Sequence, residues 1–367
     1  MHFPRINFLE WVRENVETVE YNLTDSCVHP VSINELGVTY DDIGLSGNNY
    51  CGYGELVDLL ATTYGVPARN VVITHGASMA IFLVCAALIE AEDEVILEAP
   101  NYEPLYRIPY FLGARVRMLD RPFENGFQIA LEDLERLVSR NTKAIILTNL
   151  HNPSGVATNA EKLQTIGQIA KGCGASLVVS EVFLDSVISQ PIPPVATFGR
   201  HMVSIGSLSK IYGLEGLRIG WVVCDETLIP HLRRIENYFS PRNAFPSEKI
   251  AVVAMRNRQA LLARTRAITQ VNLNYVRQAL RGRSDVAWVE PDGGTVCFPR
   301  LLGGIESMSL CKHLQDTYDT LVVPGDFFWA KGHVRISFGG KPEIVRAGMD
   351  NFCKALDDMK RRRSMFG

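Results

Sequence analysis

The sequence predicts a two-domain α/β protein whose larger part is a mostly parallel sheet covered by helices. Three observations predict it. Between residues 55 and 225, short β-branched runs alternate with helical patterns, as in a parallel sheet with crossover helices. Several of these runs are apolar on both faces, as strands covered on both sides must be. After about residue 240 the alternation gives way to long helical material and two further strand-like runs, so a second, smaller unit follows. A chain of 367 residues accommodates two domains at roughly 150 residues each.

The expected strands of the large sheet are 71–74, 94–97, 115–118, 144–147, 177–179, 202–205 and 219–223. Amphipathic stretches between them, such as 131–138 and 160–171, read as helices. Residues 250–280 read as long helical material, and 293–298 and 333–338 as strands of the smaller unit. The first 40 residues carry no strong strand and are assigned to that smaller unit. The division is therefore 41–245 for the large domain, and 1–40 plus 246–367 for the small one.

Composition narrows the function. Hydrophobic residues make up 47 %, enough for a large core, and Lys+Arg 37 against Asp+Glu 40 argues against disorder and a nucleic-acid partner. Eight cysteines at 27, 51, 85, 173, 224, 297, 311 and 353 form no CxxC pair, which argues against a metal site and dithiol chemistry. A reduced, cytoplasmic protein is expected. The opening MHFPRINFLEW lacks the pattern of a secretory signal. The longest apolar stretch, 80–89, is about half of a membrane span. The basic run 360–363 reads as a solvated helix end.

The strongest chemical signal is Gly206-Ser207-Leu208-Ser209-Lys210, followed by Gly213, Gly216 and Arg218. It lies just past the strand ending at 205, at the edge where such sheets place their chemistry. A buried lysine loses its proton readily, which suits it to Schiff-base formation. Ser207, Ser209 and Arg218 are phosphate donors. An aldehyde cofactor bearing a phosphate would use all of these groups at once. The alternative is a surface loop with an ordinary lysine.

With these residues in place, the chain resembles the class I/II aminotransferases, which are pyridoxal-phosphate enzymes of fold type I. Ser207-x-Ser209-Lys210 with Arg218 is similar to the family's cofactor-lysine segment. Thr148-Asn149-Leu150-His151-Asn152-Pro153-Ser154-Gly155 is similar to its Asn-Pro-Thr/Ser-Gly turn. Gly76-Ala77-Ser78, Pro100-Asn101-Tyr102, Val323-Pro324-Gly325 and Arg335 fall in the family's order. The resemblance implies a seven-stranded, mostly parallel sheet and pyridoxal 5'-phosphate as cofactor. Lys210 would carry the cofactor as a Schiff base and then shuttle a proton. Gly76, Ala77 and Ser78 would cradle the phosphate at a helix start. Tyr102 would stack on the pyridine ring, Asn152 would donate to the phenolic oxygen, and Arg335 would clamp the substrate α-carboxylate. Taken singly, these motifs also read as a tight turn, a core tyrosine, plain turn chemistry and an exposed strand arginine. His151 reads as structural. The partners implied are an amino acid, an α-keto acid and a second copy of the chain in a homodimer with shared active sites. Tyr50 or Tyr53 is the candidate to reach the neighbour's phosphate.

The chain departs from the family at the pyridine nitrogen. The family's Asp-Glu-Val-Tyr is here Ser180-Glu181-Val182-Phe183, so an acid becomes Ser180 and a phenol becomes Phe183. A carboxylate keeps the ring nitrogen protonated; a serine offers only a neutral hydrogen bond. Alternation along a strand turns Glu181 away from Ser180, and Asp185 lies beyond the strand. Two readings follow. The first is an aminotransferase. The second is a lyase, a β-replacement enzyme or a cyclase similar to capreomycidine synthase. A retired binding protein is disfavoured by the retention of Lys210, Asn152, Arg218 and Arg335.

Overall fold

The computed structural model describes residues 4–366. The large sheet has the seven expected strands, each within a residue or two of its expected span. They are β1 Val71–His75, β2 Glu94–Ala99, β3 Arg115–Asp120, β4 Thr142–Thr148, β5 Ser176–Ser180, β6 Met202–Ser207 and β7 Ile219–Val223. Their spatial order is β1-β7-β6-β5-β4-β2-β3. All run parallel except β7, which is antiparallel to both of its neighbours.

The principal helices are α1 Asn7–Asn15, α2 Gly76–Leu88, α3 Glu103–Phe111, α4 Leu131–Leu137, α5 Ala160–Gly172, α6 Phe245–Arg256, α7 Arg258–Leu280 and α8 Pro342–Phe366. Strand alternation divides the sheet's apolar side chains between two covered faces. Ala80, Leu83 and Val84 of α2 pack with Val95, Ile146, Val178 and Val203 on one face. Leu163, Ile166 and Ala170 of α5 pack with Ile96, Ile145, Leu177 and Val179 on the other. The Asn159 side chain caps α5 by accepting the Lys162 N–H at 2.9 Å.

The expected helical stretch 250–280 is two helices that meet at Asn257. Its backbone leaves the helical region (φ −95°, ψ 14°), as a short polar residue that competes with helical hydrogen bonding permits. α6 opens earlier than expected, with a proline in its first turn. In the smaller unit the expected strands shorten to Val296–Cys297 and Val334–Ser337, which pair antiparallel, with Val323–Pro324 on the other side of the latter. The N-terminal segment contributes a two-residue strand, Tyr21–Asn22, parallel to Thr320–Leu321. Leu23 joins the core of Leu273, Val276, Leu310, Val345 and Phe352. The basic run 360–363 lies in α8, where Lys360 and Arg361 are exposed; the side chains of Arg362 and Arg363 fall outside the described residues. Among the described residues no helix is long and apolar enough to cross a membrane.

Two buried acids mark the sheet. Glu98, at the end of β2, accepts from Arg121 Nη1 at 2.6 Å, with both side chains fully buried. It also accepts from the backbone N–H and the hydroxyl of Thr148, each at 2.6 Å. Removing one partner of a buried ion pair leaves the other charge uncompensated. Glu98→Gln is therefore expected to cost about 3 kcal/mol, measured as an earlier urea unfolding midpoint.

Glu181 accepts the Val195 N–H at 2.8 Å, but its Oε2 has no partner. Burial pushes its pKa from 4.5 to about 8. The folded protein thus keeps a proton that the unfolded chain releases in this window, so stability falls as pH rises from 4.5 to 8. Glu181→Gln removes that slope. Its stability should gain on that of the wild type as pH rises, by on the order of 5 kcal/mol across the window, read as a growing difference in melting temperature.

Candidate active site

The carboxyl ends of β1, β2, β4, β5 and β6 open on one edge of the sheet, where parallel sheets bind ligands. Because β7 is antiparallel, its amino end opens there too. β1 turns directly into α2 at Gly76, whose φ is +77°, a conformation that favours glycine. A Cβ at Gly76 would stand 2.6 Å from Arg218 Nη2, and one at Gly220 would stand 2.4 Å from the Gly76 carbonyl carbon. The close approach of β7 to this turn thus brings Arg218 over the amino end of α2, whose first-turn N–H groups have no helical partner.

The cavity at this edge has a volume of about 260 Å³. Ten of the residues expected from the sequence line it: Ala77, Ser78, Tyr102, Asn152, Ser180, Phe183, Ser207, Ser209, Lys210 and Arg218. Gly76 forms the turn behind it. Arg335 is not in the lining. It is 1 % exposed, so it is not an exposed strand arginine, and it reaches the cavity through Asn152. Its Nη1 donates to Asn152 Oδ1 at 3.2 Å and its Nη2 to the Thr24 carbonyl at 2.8 Å, while Nε has no partner. Burial lowers its pKa to about 10, so it stays cationic at neutral pH.

Lys210 Nζ donates to Ser26 Oγ at 2.8 Å and lies 3.7 Å from Cys27 Sγ. Burial alone would lower its pKa, and the Asp25 carboxylate opposes that by favouring the charged amine. Burial in turn pushes the Cys27 thiol up to about 12, so it is neutral. Ser207 Oγ accepts the Ser209 N–H at 2.8 Å, which leaves the Ser207 O–H free to donate. His151 is fully buried, with its ring nitrogens on Ser154 Oγ and the Pro100 carbonyl, each at 2.7 Å. Burial lowers its pKa, so it is a neutral structural residue as expected.

Ser180 ends β5 between Thr148 and Ile205, with its carbonyl on the Asn149 N–H at 2.9 Å. Neither nearby acid replaces the missing carboxylate. Glu181 faces a separate cavity with Tyr64 and Trp221. Asp185 is engaged by the Tyr212 hydroxyl and by Arg258. Tyr53 is held by its N–H to Glu248, and Tyr50 is 62 % exposed.

Sequence reasoning missed Ser26, Cys27, Thr148 and Glu215 in the cavity wall. Ser26 and Cys27 sit in an N-terminal loop with no periodic signal. Thr148 was visible only as the residue that opens the Asn-Pro turn.

The residues present fit pyridoxal phosphate. A lysine amine, an arginine over the start of a helix and the hydroxyls of Ser78, Ser207 and Ser209 converge in one cavity, a donor set for an aldehyde and a phosphate together. Comparison with known proteins agrees. The aminotransferase class I and II family matches residues 46–356. Capreomycidine synthase of Streptomyces vinaceus is 30 % identical over 94 % of this chain and 92 % of that protein. A PLP-dependent aminotransferase from Streptococcus suis 89-1591 superposes with a TM-score of 0.93 at 28 % identity, over 98 % of this chain and 99 % of that one. The PLP-dependent cyclase OrfR superposes with a TM-score of 0.90 at 26 % identity, over 98 % of each chain. The chain belongs to the class I and II aminotransferase family and is a pyridoxal-phosphate-dependent enzyme.

Proposed function

We propose that the protein transfers the amino group of an amino acid to an α-keto acid, with Lys210 as cofactor anchor and proton carrier. The observation that carries this reading is the convergence of Lys210, Arg218, Asn152 and Tyr102 on one cavity, with Arg335 behind Asn152. Bound pyridoxal phosphate supplies an electron-withdrawing ring that acidifies the α-C–H of the amino acid joined to it.

The chain's own groups would do the rest. Ser78, Ser207, Ser209, Arg218 and the first N–H groups of α2 would hold the phosphate. Tyr102 would cover one face of the ring. With Asn152 Oδ1 held by Arg335, its Nδ2 is the end left to donate to the phenolic oxygen. Arg335 would bind the α-carboxylate through its remaining donors. Lys210 Nζ would take the proton from the substrate α-carbon, and Ser26 Oγ gives that nitrogen a resting partner. Ser180 would face the ring nitrogen with a neutral hydroxyl, and Phe183 would leave the phenolic oxygen one donor short.

That neutral contact favours a second reading on the same residues: a lyase, a β-replacement enzyme or a cyclase, OrfR being a PLP-dependent cyclase. A homodimer is supported by the exposed apolar side chains of Leu45, Tyr50, Tyr238 and Phe239. A cytoplasmic setting is supported by eight unpaired cysteines.

The test is to supply the cofactor-loaded enzyme with a panel of amino acids, with and without an α-keto acid. Transfer that requires the keto acid supports the first reading; ammonia or products formed without an acceptor support the second. Lys210→Ala should cut kcat about a thousandfold and abolish borohydride trapping of the cofactor on this segment. Ser180→Asp should raise amino transfer about tenfold, because a carboxylate favours the protonated ring by about one pKa unit or more. No gain in amino transfer would show that the hydroxyl at 180 does not set the ring's charge.

A further inference from the structure

Phe8 and Glu103 do not line the cavity, yet they join its carboxylate side to the rest of the molecule. The first-turn N–H of Phe8 in α1 donates to Glu103 Oε2 at 2.7 Å. Glu103 opens α3, is 1 % exposed, and takes Arg107 Nε on its other oxygen at 3.0 Å. A carboxylate at a helix amino end meets free N–H groups and the positive end of the dipole. Here one carboxylate accepts from the first turn of α1, 95 residues away, and from Arg107 one turn along its own helix.

The bond fixes where the Phe8 ring lies. That ring is 5.2 Å from the Arg335 guanidinium carbon, and Phe328 is 5.0 Å from it. It also meets Tyr102 edge-on, with centroids 5.9 Å apart. One side chain thus touches both the aromatic wall of the cavity and the buried arginine. An aromatic ring holds a guanidinium by its face and accepts none of the in-plane hydrogen bonds a carboxylate needs. Arg335 Nε, unpartnered, is left for such a carboxylate.

We propose that Glu103, acting through Phe8, is a positioning residue for the substrate α-carboxylate. It ties α1 to α3 so that the Phe8 ring keeps Arg335 in register with Asn152. The proposal rests on the reading of Arg335 as the carboxylate clamp. The bond concerns binding of the carboxylate and leaves the proton transfer at Lys210 untouched, so its loss raises KM and spares kcat.

The test uses the full chain loaded with pyridoxal phosphate, in the variants Glu103→Ala, Glu103→Gln, Phe8→Leu and Arg335→Gln. Glu103→Ala and Phe8→Leu should each raise the KM of the amino donor and the dissociation constant of pyruvate, the carboxylate probe, about tenfold. Their kcat should stay within about twofold of the wild type. Glu103→Gln keeps an acceptor for the Phe8 N–H and should recover most of the loss. Amide hydrogen exchange across residues 7–15 should quicken in Glu103→Ala and not in Glu103→Gln. Faster exchange with unchanged KM and pyruvate binding would overturn the proposal, as would a fall in kcat at constant KM. If Glu103→Ala does not fold, Phe8→Leu carries the same kinetic test. Arg335→Gln separates the two ideas. Unchanged pyruvate binding there would remove the clamp itself, whereas a large loss there with none in the other variants would remove only the role of Glu103.

Discussion

The site depends on one buried carboxylate. Glu98 stands at the end of β2 with its charge balanced by Arg121, and it accepts both donors of Thr148 at the end of β4. The Thr148 hydroxyl then accepts the Asn152 N–H at 3.1 Å. Asn152 accepts from Arg335, and Arg335 donates to the Thr24 carbonyl. A continuous line of hydrogen bonds thus runs from the large sheet, through the turn at the cavity, to the N-terminal segment. Burying a charge is costly unless it is paired and fully bonded. Glu98 meets that condition only when β2, β4 and the loop after β3 are all in place.

The cavity behind this line is rich in positive charge. Lys210 and Arg218 line it beside one acid, Glu215, and Arg335 stands just outside it. An anionic cofactor and a substrate carboxylate would balance these groups. With Ser180 neutral, Glu181 turned to a separate cavity and Asp185 tied to Arg258 and Tyr212, none of these residues would offer a carboxylate to keep the ring nitrogen protonated. The exchange of an acid for a hydroxyl at position 180, as proposed above, would leave the binding of the cofactor supported while altering its chemistry.

Much of this was legible because it is local. The seven strands announced themselves by apolar runs between helices, and ten cavity residues by short motifs that follow those strands. What stayed hidden is held by contacts between distant segments. Ser26 meets Lys210 across 184 residues, and its loop has no period to read. Glu98 and Arg121 looked like ordinary charges in and beside strands, since nothing local says that a side chain will be buried. The break at Asn257 was invisible to a pattern that continues through it. The groups beside the Lys210 amine, Ser26 and Asp25 among them, are brought to it only by folding.

The reversed direction of β7 has a further result. The chain leaves β6 and re-enters the sheet at the same rim, so the eleven residues from 208 to 218 never cross to the far side. The amine and the guanidinium that would grip opposite ends of one small molecule therefore sit on a single short loop, whose length is dictated by two adjacent strands. Lengthening or shortening that loop would move one handle relative to the other, so evolution can reshape the mouth of this enzyme far more freely than it can resize this span.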